Sequence, residues 1–513
     1  MISFVLIVLI LLLSLGSISL NFNINLSSYS NFILDYCLDI GSNYCLLMLF
    51  VCSLVSLLFS LHYFSWDYNN LNIIIIFFVS VMVYLVITHN LFNSLMGWEY
   101  LGFVSFLLIL YYGTYDSVRA SNITLVSSRF GDVGLFLLIG LVLNYFSSPW
   151  FLYVLLFSVV LFTKSACIPF TSWLLEAMRA PTPVSCLVHS STLVAAGIWF
   201  IVSYGHYLSP WDVPYLLVPC FFTIFVSSLS SLFLLDVKKL VALSTCNNIS
   251  WCVVYYCMGF TDLCLIQLLS HGVAKCMLFC MVGDILSSSG SNQINSGLYS
   301  PLNQNSFSSY SLCLLVLFVS GLPFQGVFFS KHILLGLNCF GFNLCYLLVL
   351  YLCVFMTYVY SFRLYMLVSN IFSGQSSGLQ NTFYFLGGLF VLGCLFNFFF
   401  SFTIIESYSL SLIFSLLILF IQVFGCFIGW FLNVNLGSFF SSSIYGQDFL
   451  LSFSSSFFNL VSSGLFYVGS FRSERYLSGF LQSLNLFSLN LGSLIQLNIF
   501  FISSFVLACF FLF

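Results

Sequence analysis

The chain has 513 residues, of which 61% are hydrophobic and only 5% charged, with a formal net charge of −3 at pH 7. A soluble domain carries roughly 25% charged residues, so this chain cannot clothe its exterior with charge and lipid is its natural solvent. The same balance excludes a basic tract for nucleic acid and a long polar region for a soluble domain.

Lipid offers no hydrogen-bond partner to a bare backbone, so spanning segments are helices or a closed barrel. Barrel strands alternate polar and apolar side chains over roughly ten residues, whereas residues 73–87 are apolar on every face apart from Ser80. The expected class is therefore an all-α polytopic membrane protein. Taken in chain order, about fifteen spans meet the required length. They fall at 2–20, 43–62, 70–88, 91–112, 120–145, 150–178, 181–204, 212–234, 237–258, 261–286, 308–337, 340–367, 383–400, 404–431 and 490–513. The first lacks the basic flank and small-residue cleavage site of a signal peptide and reads as a retained span. None of the 19 cysteines stands in a Cys-x-x-Cys pair, and inside apolar runs a free cysteine behaves as a small hydrophobe.

The rare charges test this order. Arg119, Arg179, Lys238, Lys239, Arg363, Arg472 and Arg475 fall in or beside loops that follow even-numbered spans. Asp35, Asp39, Asp212, Asp262 and Glu406 fall after odd-numbered ones. Basic residues gather on the inner side of a membrane, which places the N-terminus on that side. Arg129, Lys164, Lys275 and Lys331 remain within spans.

Two spans carry helix breakers: Pro169 after Lys164, and Gly321-Leu322-Pro323 before Lys331. Proline removes a backbone donor from a helix interior. Each breaker lies in the fourth member of a group of five spans, and an odd group re-enters the membrane inverted. Paired interruptions point to inverted repeats around a midplane site; two unrelated proline kinks are the alternative. The organisation expected is N-terminal helices at 1–69, a first repeat at 70–204, a second at 212–367 and further helices at 383–431. Residues 432–489 follow, too polar to span, and read as an amphipathic surface segment or an ordered loop. A last span occupies 490–513.

A charge near the bilayer centre costs about 2.5–3.5 kcal/mol on insertion scales, so one that is kept there is a functional candidate in need of a partner. Glu99 lies inside the fourth span. Low dielectric favours a neutral carboxyl and a nearby cation favours the ionised form, so an acid under both influences can take up and release a proton. A neutral acid bonded to a backbone carbonyl is the plainer alternative. Lys164, at the first break, can likewise accept a proton when uncharged, or cap carbonyls that the break leaves free. Lys331 repeats the pairing of lysine and break, with His332 beside it. His271 and Lys275 are four apart on one helical face. His189, after Pro181-Thr182-Pro183, suits a proton relay, although a lone histidine in an apolar helix is as often a satisfied core residue. Together Lys164, His189, Lys275, His271 and Lys331 read as a polar axis along the middle of the membrane. Arg129 and Asp132 share a face as an ion pair or part of a proton path. Asp236-Val237-Lys238-Lys239 opens the ninth span, where a helix-end and topology role fits. Histidine spacing for haem or copper, a P-loop, a dinucleotide fingerprint and an iron–sulfur cysteine set are all missing; no metal or redox centre is expected in this chain.

Several stretches carry a resemblance. Gly97-Trp98-Glu99-Tyr100-Leu101-Gly102, Arg129-Phe130-Gly131-Asp132-Val133-Gly134, Lys164-Ser165-Ala166 and Ala177-Met178-Arg179-Ala180-Pro181-Thr182-Pro183-Val184-Ser185 are four of them. Asp236-Val237-Lys238-Lys239, Ala242-Leu243-Ser244-Thr245 and Phe328-Phe329-Ser330-Lys331 complete the set. In order and spacing, over roughly residues 43–367, they resemble the antiporter-like proton-pumping membrane subunits of NADH–ubiquinone oxidoreductase, respiratory complex I. The resemblance implies two inverted five-helix repeats, each with a broken helix, a lateral helix near 440–487 on the matrix face and a terminal anchor helix. It implies that Glu99 and Lys164 form the coupling pair of the first half-channel. His189, His271 and Lys275 would be the connecting axis and Lys331 the terminal exchange site. The family's acid after the second broken-helix lysine is His332 here, a family histidine one turn before His271 is Gln267, and the loop 287–297 lacks the usual His and Asp-x-Arg. By the same resemblance the chain is part of an H+-translocating NADH:ubiquinone reductase, with NAD, FMN, iron–sulfur clusters and ubiquinone held in partner subunits. Its partners would be other membrane-arm subunits, the neighbouring antiporter-like chain 4 above all, together with membrane lipids and no nucleic acid. The 64 phenylalanines, with many Ser, Leu and Cys, look like a thymine-rich mitochondrial gene and point to the mitochondrial inner membrane. A subunit of a multi-subunit sodium/proton antiporter and a non-pumping structural anchor remain the alternatives; a haem-containing oxidase subunit is disfavoured by the histidine spacing.

Overall fold

Apolar runs that must satisfy their own backbone yield a chain that is almost wholly helical. The computed structural model describes residues 21–25, 33–37, 39–64, 68–143, 150–209, 212–289, 293, 298–300, 306–321, 326–338, 344–369, 372–373 and 412–432. These belong to a unit spanning Met1–Leu450; a second unit, Leu451–Phe513, contributes only residues 456, 459, 460 and 463.

A hairpin comes first. Strands β1 (Asn21–Asn25) and β2 (Ile33–Cys37) pair antiparallel with Asn21 opposite Cys37. This departs from the all-α expectation, and its signal was legible, because Asn-Phe-Asn-Ile-Asn alternates with the period of a strand. Helices α1 (Ile40–Tyr63), α2 (Tyr68–Ile87), α3 (Leu91–Leu110) and α4 (Tyr115–Leu143) follow. The sixth predicted span is α5 (Trp150–Ser165) and, beyond a break, the short α6 (Ser172–Ala177). The seventh is α7 (Thr182–Leu187), a π-helical turn (Val188–Thr192) and α8 (Leu193–Tyr204). Next come α9 (Val213–Ser231), α10 (Val237–Cys257) and α11 (Thr261–Ser288). A second broken span is α12 (Ser306–Ser320) and α13 (Phe328–Asn338), succeeded by α14 (Leu344–Ser369) and α15 (Leu412–Phe431). A two-residue parallel pairing joins β3 (Tyr299–Ser300) to β4 (Phe372–Ser373). The predictions at 2–20, 383–400 and 490–513, and nearly all of the lateral segment at 432–489, lie outside the described residues.

Eight of the described helices are long and apolar enough to cross a membrane by length and composition. Burial separates them. The segment Thr182–Tyr207 is 100% buried over its most apolar window and Thr261–Ser287 is 83% buried, whereas Asn70–Ile87 and Tyr115–Val142 are each 33% buried. The π turn and α11 therefore form the centre, and α2 and α4 offer lipid-facing or partner-facing sides.

Both breaks have a local cause. After Ser165 the backbone turns left-handed at Ala166, with φ of 54°, ahead of Pro169, and helix resumes only at Ser172. A left-handed non-glycine residue costs roughly 1–2 kcal/mol, so the surrounding packing holds this break open. The second break begins at Gly321, with φ of +82°, where the missing Cβ makes the turn cheap; Pro323 itself lies outside the described residues. The π turn has a different origin. In His189-Ser190-Ser191-Thr192 every hydroxyl reaches back along the helix: Ser190 donates to the Cys186 carbonyl, Ser191 to Leu187 (3.2 Å) and Thr192 also to Leu187 (2.9 Å). Hydroxyls that compete for backbone carbonyls loosen a helix, and a widened turn is the result.

Gly197 sets how closely α8 approaches α5. A Cβ there would lie 3.0 Å from the Ser165 backbone nitrogen and 3.2 Å from the Leu161 carbonyl oxygen, beside the turn that carries Lys164. Overpacking of this kind costs about 1–3 kcal/mol. Gly197→Ala is expected to lower the thermal unfolding midpoint of the detergent-extracted protein; an unchanged midpoint would contradict this packing.

Candidate functional site

Lys164 occupies the last turn of α5, 1% exposed. Its Nζ stands 5.4 Å from the centroid of the Trp98 ring and has no hydrogen-bond partner among the described residues. An ammonium over an indole face gains electrostatic stabilisation. A Cβ at Gly102 would crowd the Ser128 hydroxyl, at 3.0 Å, and touch the amine, at 3.8 Å.

Two acids, Asp132 and Glu99, share Arg129 near this amine. Asp132, 4% exposed, is the carboxylate whose charge acts on the amine. Its Oδ2 accepts a hydrogen bond from Arg129 Nη1 at 3.1 Å, and the same Nη1 lies 3.9 Å from Glu99 Oε1. The side chains of Glu99 and Arg129 are 54% and 46% exposed. Arg129 is thus shared by Glu99 and Asp132, and Glu99 is more exposed than a place inside a span suggests. Helical geometry gives the reason. Trp98, Leu101 and Gly102 point inward on α3, and Glu99 shares the outward face with Tyr100 and Phe103.

A small cavity, with room for about one water molecule, joins Lys164 to His189 and is also lined by Ser128, Thr163 and Trp173. His189 sits in the π turn, fully buried, with its ring centroid 6.1 Å from that of Trp173. Neither of its ring nitrogens has a partner in hydrogen-bond geometry among the described residues, and the same holds for His271. Lys238, assigned by sequence to a loop end, is 2% exposed and donates to the Ala180 carbonyl at 2.5 Å. Its charge is felt at His189. Sequence reasoning missed it because Asp236-Val237-Lys238-Lys239 looks like a helix start, yet only Asp236 and Lys239 behave so, paired at 3.0 Å and partly exposed. Arg363 was likewise read as a loop charge; it is 3% exposed and donates to the carbonyls of Ser231 and Leu234 at the end of α9.

The line continues along α11. Lys275, 1% exposed, donates to the Ser244 hydroxyl and lies 3.3 Å from the Val241 carbonyl. His271 is one turn back on the same face, and Gln267 another turn beyond. Gln267 Oε1 accepts from Ser330 Oγ at 2.6 Å, which carries the line to Lys331. That amine donates to the Ser320 carbonyl at 2.8 Å and to Thr357 Oγ1 at 3.2 Å, and lies 5.5 Å from the Tyr358 ring centroid. The carbonyl-capping role considered for Lys164 is realised at Lys331 instead. Tyr358 donates to the Gly321 carbonyl at 2.9 Å and accepts from Gln422 at 3.1 Å. His332 turns aside and packs on Phe328, ring centroids 5.2 Å apart. The structure therefore buries Lys164, His189, His271, Lys275 and Lys331, brings the first two to one cavity, and leaves Glu99, His332 and Asp236 at least partly exposed.

The family match agrees with this framework. The chain belongs to the NADH:quinone oxidoreductase/Mrp antiporter transmembrane family, whose model matches residues 88–361. It is 36% identical over 331 residues to NADH-ubiquinone oxidoreductase chain 5 of Locusta migratoria, covering 59% of this chain and 57% of that one. The chain 5 protein of Caenorhabditis elegans is 35% identical over 335 residues, with 62% of each covered. The chain thus spans less than two thirds of the length of these relatives. Its fold resembles that in the structure of the Mrp complex from Dietzia sp. DQ12-45-1b, with a TM-score of 0.71 and 19% identity over 92% of this chain and 58% of that one. It also resembles that in the membrane-bound sulfane sulfur reductase, an archaeal respiratory membrane complex, with a TM-score of 0.65 and 16% identity over 83% and 90%.

Buried polar atoms without protein partners are normally satisfied by ordered water. Density for water within hydrogen-bond reach of Lys164 Nζ is expected in a high-resolution cryo-EM map; a dry contact with apolar atoms there would break the connection to His189.

Proposed function

We propose that this chain does the work its relatives are named for, as a core membrane subunit of a respiratory NADH–ubiquinone oxidoreductase in the mitochondrial inner membrane. It moves protons across that membrane while partner subunits carry electrons from NADH to ubiquinone and hold the NAD, FMN, iron–sulfur and quinone sites. The observation that carries this reading is the number of ionisable groups kept fully inside the chain, Lys164, His189, His271, Lys275 and Lys331 among them. An ionisable group in hydrocarbon is costly, and here such groups succeed one another across α5, the π turn, α11 and α13. Supporting the architecture of about fifteen spans with two inverted repeats, at 70–204 and 212–367, are the two broken helices, each of which sets a buried lysine against an aromatic face.

The transfer begins at Glu99. A shift in its charge or position pulls on Arg129, which is shared with Asp132. Asp132 in turn loses or regains its hold on the Lys164 amine, and the proton passes by the cavity to His189. His271 and Lys275 receive it, and Lys331 discharges it on the far side. The half-exposed Glu99–Arg129 pair on a lipid-length helix face needs a protein cover, and a neighbouring antiporter-like chain 4 is the partner that fits this scheme.

The test is pumping by the reconstituted complex. Lys164→Ala is expected to reduce protons moved per NADH by about a hundredfold, the scale on which a positioned proton-transfer group acts. Asp132→Asn is expected to impair pumping more than Glu99→Gln, because it severs the link next to the amine. Undiminished pumping with Lys164→Ala would falsify the reading, and pumping lost only together with assembly would favour a structural anchor.

A further inference from the structure

Three fully buried thiols converge where no sequence spacing announced them. Cys186 on α7 has its Sγ 3.1 Å from that of Cys276 and 3.2 Å from that of Cys280, both on α11. The Cys186 thiol also reaches the Cys276 carbonyl at 3.1 Å, and Cys276 Sγ reaches the Cys52 carbonyl on α1 at 3.6 Å. All of these side chains are free thiols. None takes part in the proton series, yet the cluster lies at its central joint. Cys186 precedes His189 by one helical turn, and Cys276 is the residue after Lys275.

We propose that Cys186 and Cys276 form an oxidisable dithiol site that takes a small uncharged peroxide and closes to a disulfide, tying α7 to α11. Sulfurs this close need to move by only about 1 Å to reach the disulfide bond length near 2.05 Å, which side-chain rotation supplies. A thiolate is the reactive form, and a lone buried cysteine has nothing to solvate it. Cys186 differs in having the sulfurs of both Cys276 and Cys280 in contact with its own, so that a resolving thiol is already in place. Its sulfur attacks one peroxide oxygen, the O–O bond breaks, and a sulfenic acid forms with release of one water. The Cys276 sulfur then displaces the hydroxyl, which leaves as a second water. Two thiols have lost two protons and two electrons, and one peroxide has become two waters. Cys280, one turn on, offers a second partner to the same Cys186. The Ser190 hydroxyl, bonded to the Cys186 carbonyl, makes the bridge part of the hydrogen bonding that sustains the π turn, so the closed form pins that turn to the helix bearing His271 and Lys275.

The test reads the bond and not transport, so its outcome is independent of the pumping assignment. Native membranes are treated with hydrogen peroxide and denatured, remaining thiols are alkylated, and peptides are identified by mass spectrometry. The expected product joins the Cys186 peptide to that of Cys276, or to that of Cys280, two hydrogens lighter than the separate peptides. Dithiothreitol reverses it. Cys353, buried but outside the cluster, is expected to stay alkylated under the same conditions. Cys186→Ala is expected to abolish the link; where that variant does not accumulate, Cys276→Ser combined with Cys280→Ser abolishes it equally. Recovery of Cys186 wholly as the alkylated thiol, or its linkage to a cysteine outside the cluster, overturns the proposal.

Discussion

Four ammonium groups, those of Lys164, Lys238, Lys275 and Lys331, are each at most 2% exposed, and among the described residues none lies within ion-pair distance of a carboxylate. A fixed salt bridge would have been the simplest way to tolerate a cation in hydrocarbon, but removing a proton from one leaves an uncompensated buried charge. These amines rest instead on backbone carbonyls, hydroxyls and aromatic faces. Neutral partners of that kind stabilise the charged form without demanding it, because each can also accommodate an uncharged amine. The rest of the interior follows from this choice: hydroxyls at Ser244 and Thr357, rings at Trp98 and Tyr358, and helix breaks that present free carbonyls.

Asp132 is the acid whose charge acts on one of these amines, Lys164, and it is tied first to Arg129. Glu99 and Arg129, half exposed on α3 and α4, are the outward end of this contact. The π turn serves the same economy of parts. By donating back to Cys186 and Leu187, the run Ser190-Ser191-Thr192 widens the helix where His189 must face both the Lys164 cavity and the buried Lys238.

Much of the fold was legible because lipid imposes one rule on every span. Length and hydropathy located the helices from 43–62 to 340–367, and Pro169 and Gly321 marked both breaks. The central candidates were legible for the same reason, since an ionisable residue stands out in an apolar run. What escaped depends on rotation about the helix axis. Glu99 and Gly102 are three apart, yet one faces outward and the other inward, and no hydropathy pattern distinguishes faces on a helix apolar all round. The burial of Lys238 and Arg363 is not legible, because a cation near a helix end has the same sequence signature whether it meets solvent or bends inward to a carbonyl. The hairpin at Asn21–Cys37 is masked by a composition that points to helices, although its alternation is plain.

The two break lysines are not equivalent. Lys164 leans on an indole and leaves no backbone group bare when it changes state. Lys331 is a helix cap: its amine closes the Ser320 carbonyl at the end of α12, next to the Tyr358 bond that closes Gly321. A neutral Lys331 would leave that carbonyl a weaker donor, whereas Lys164 can change charge without loosening any backbone group, so the two breaks differ in how far the scaffold depends on the charge of its lysine.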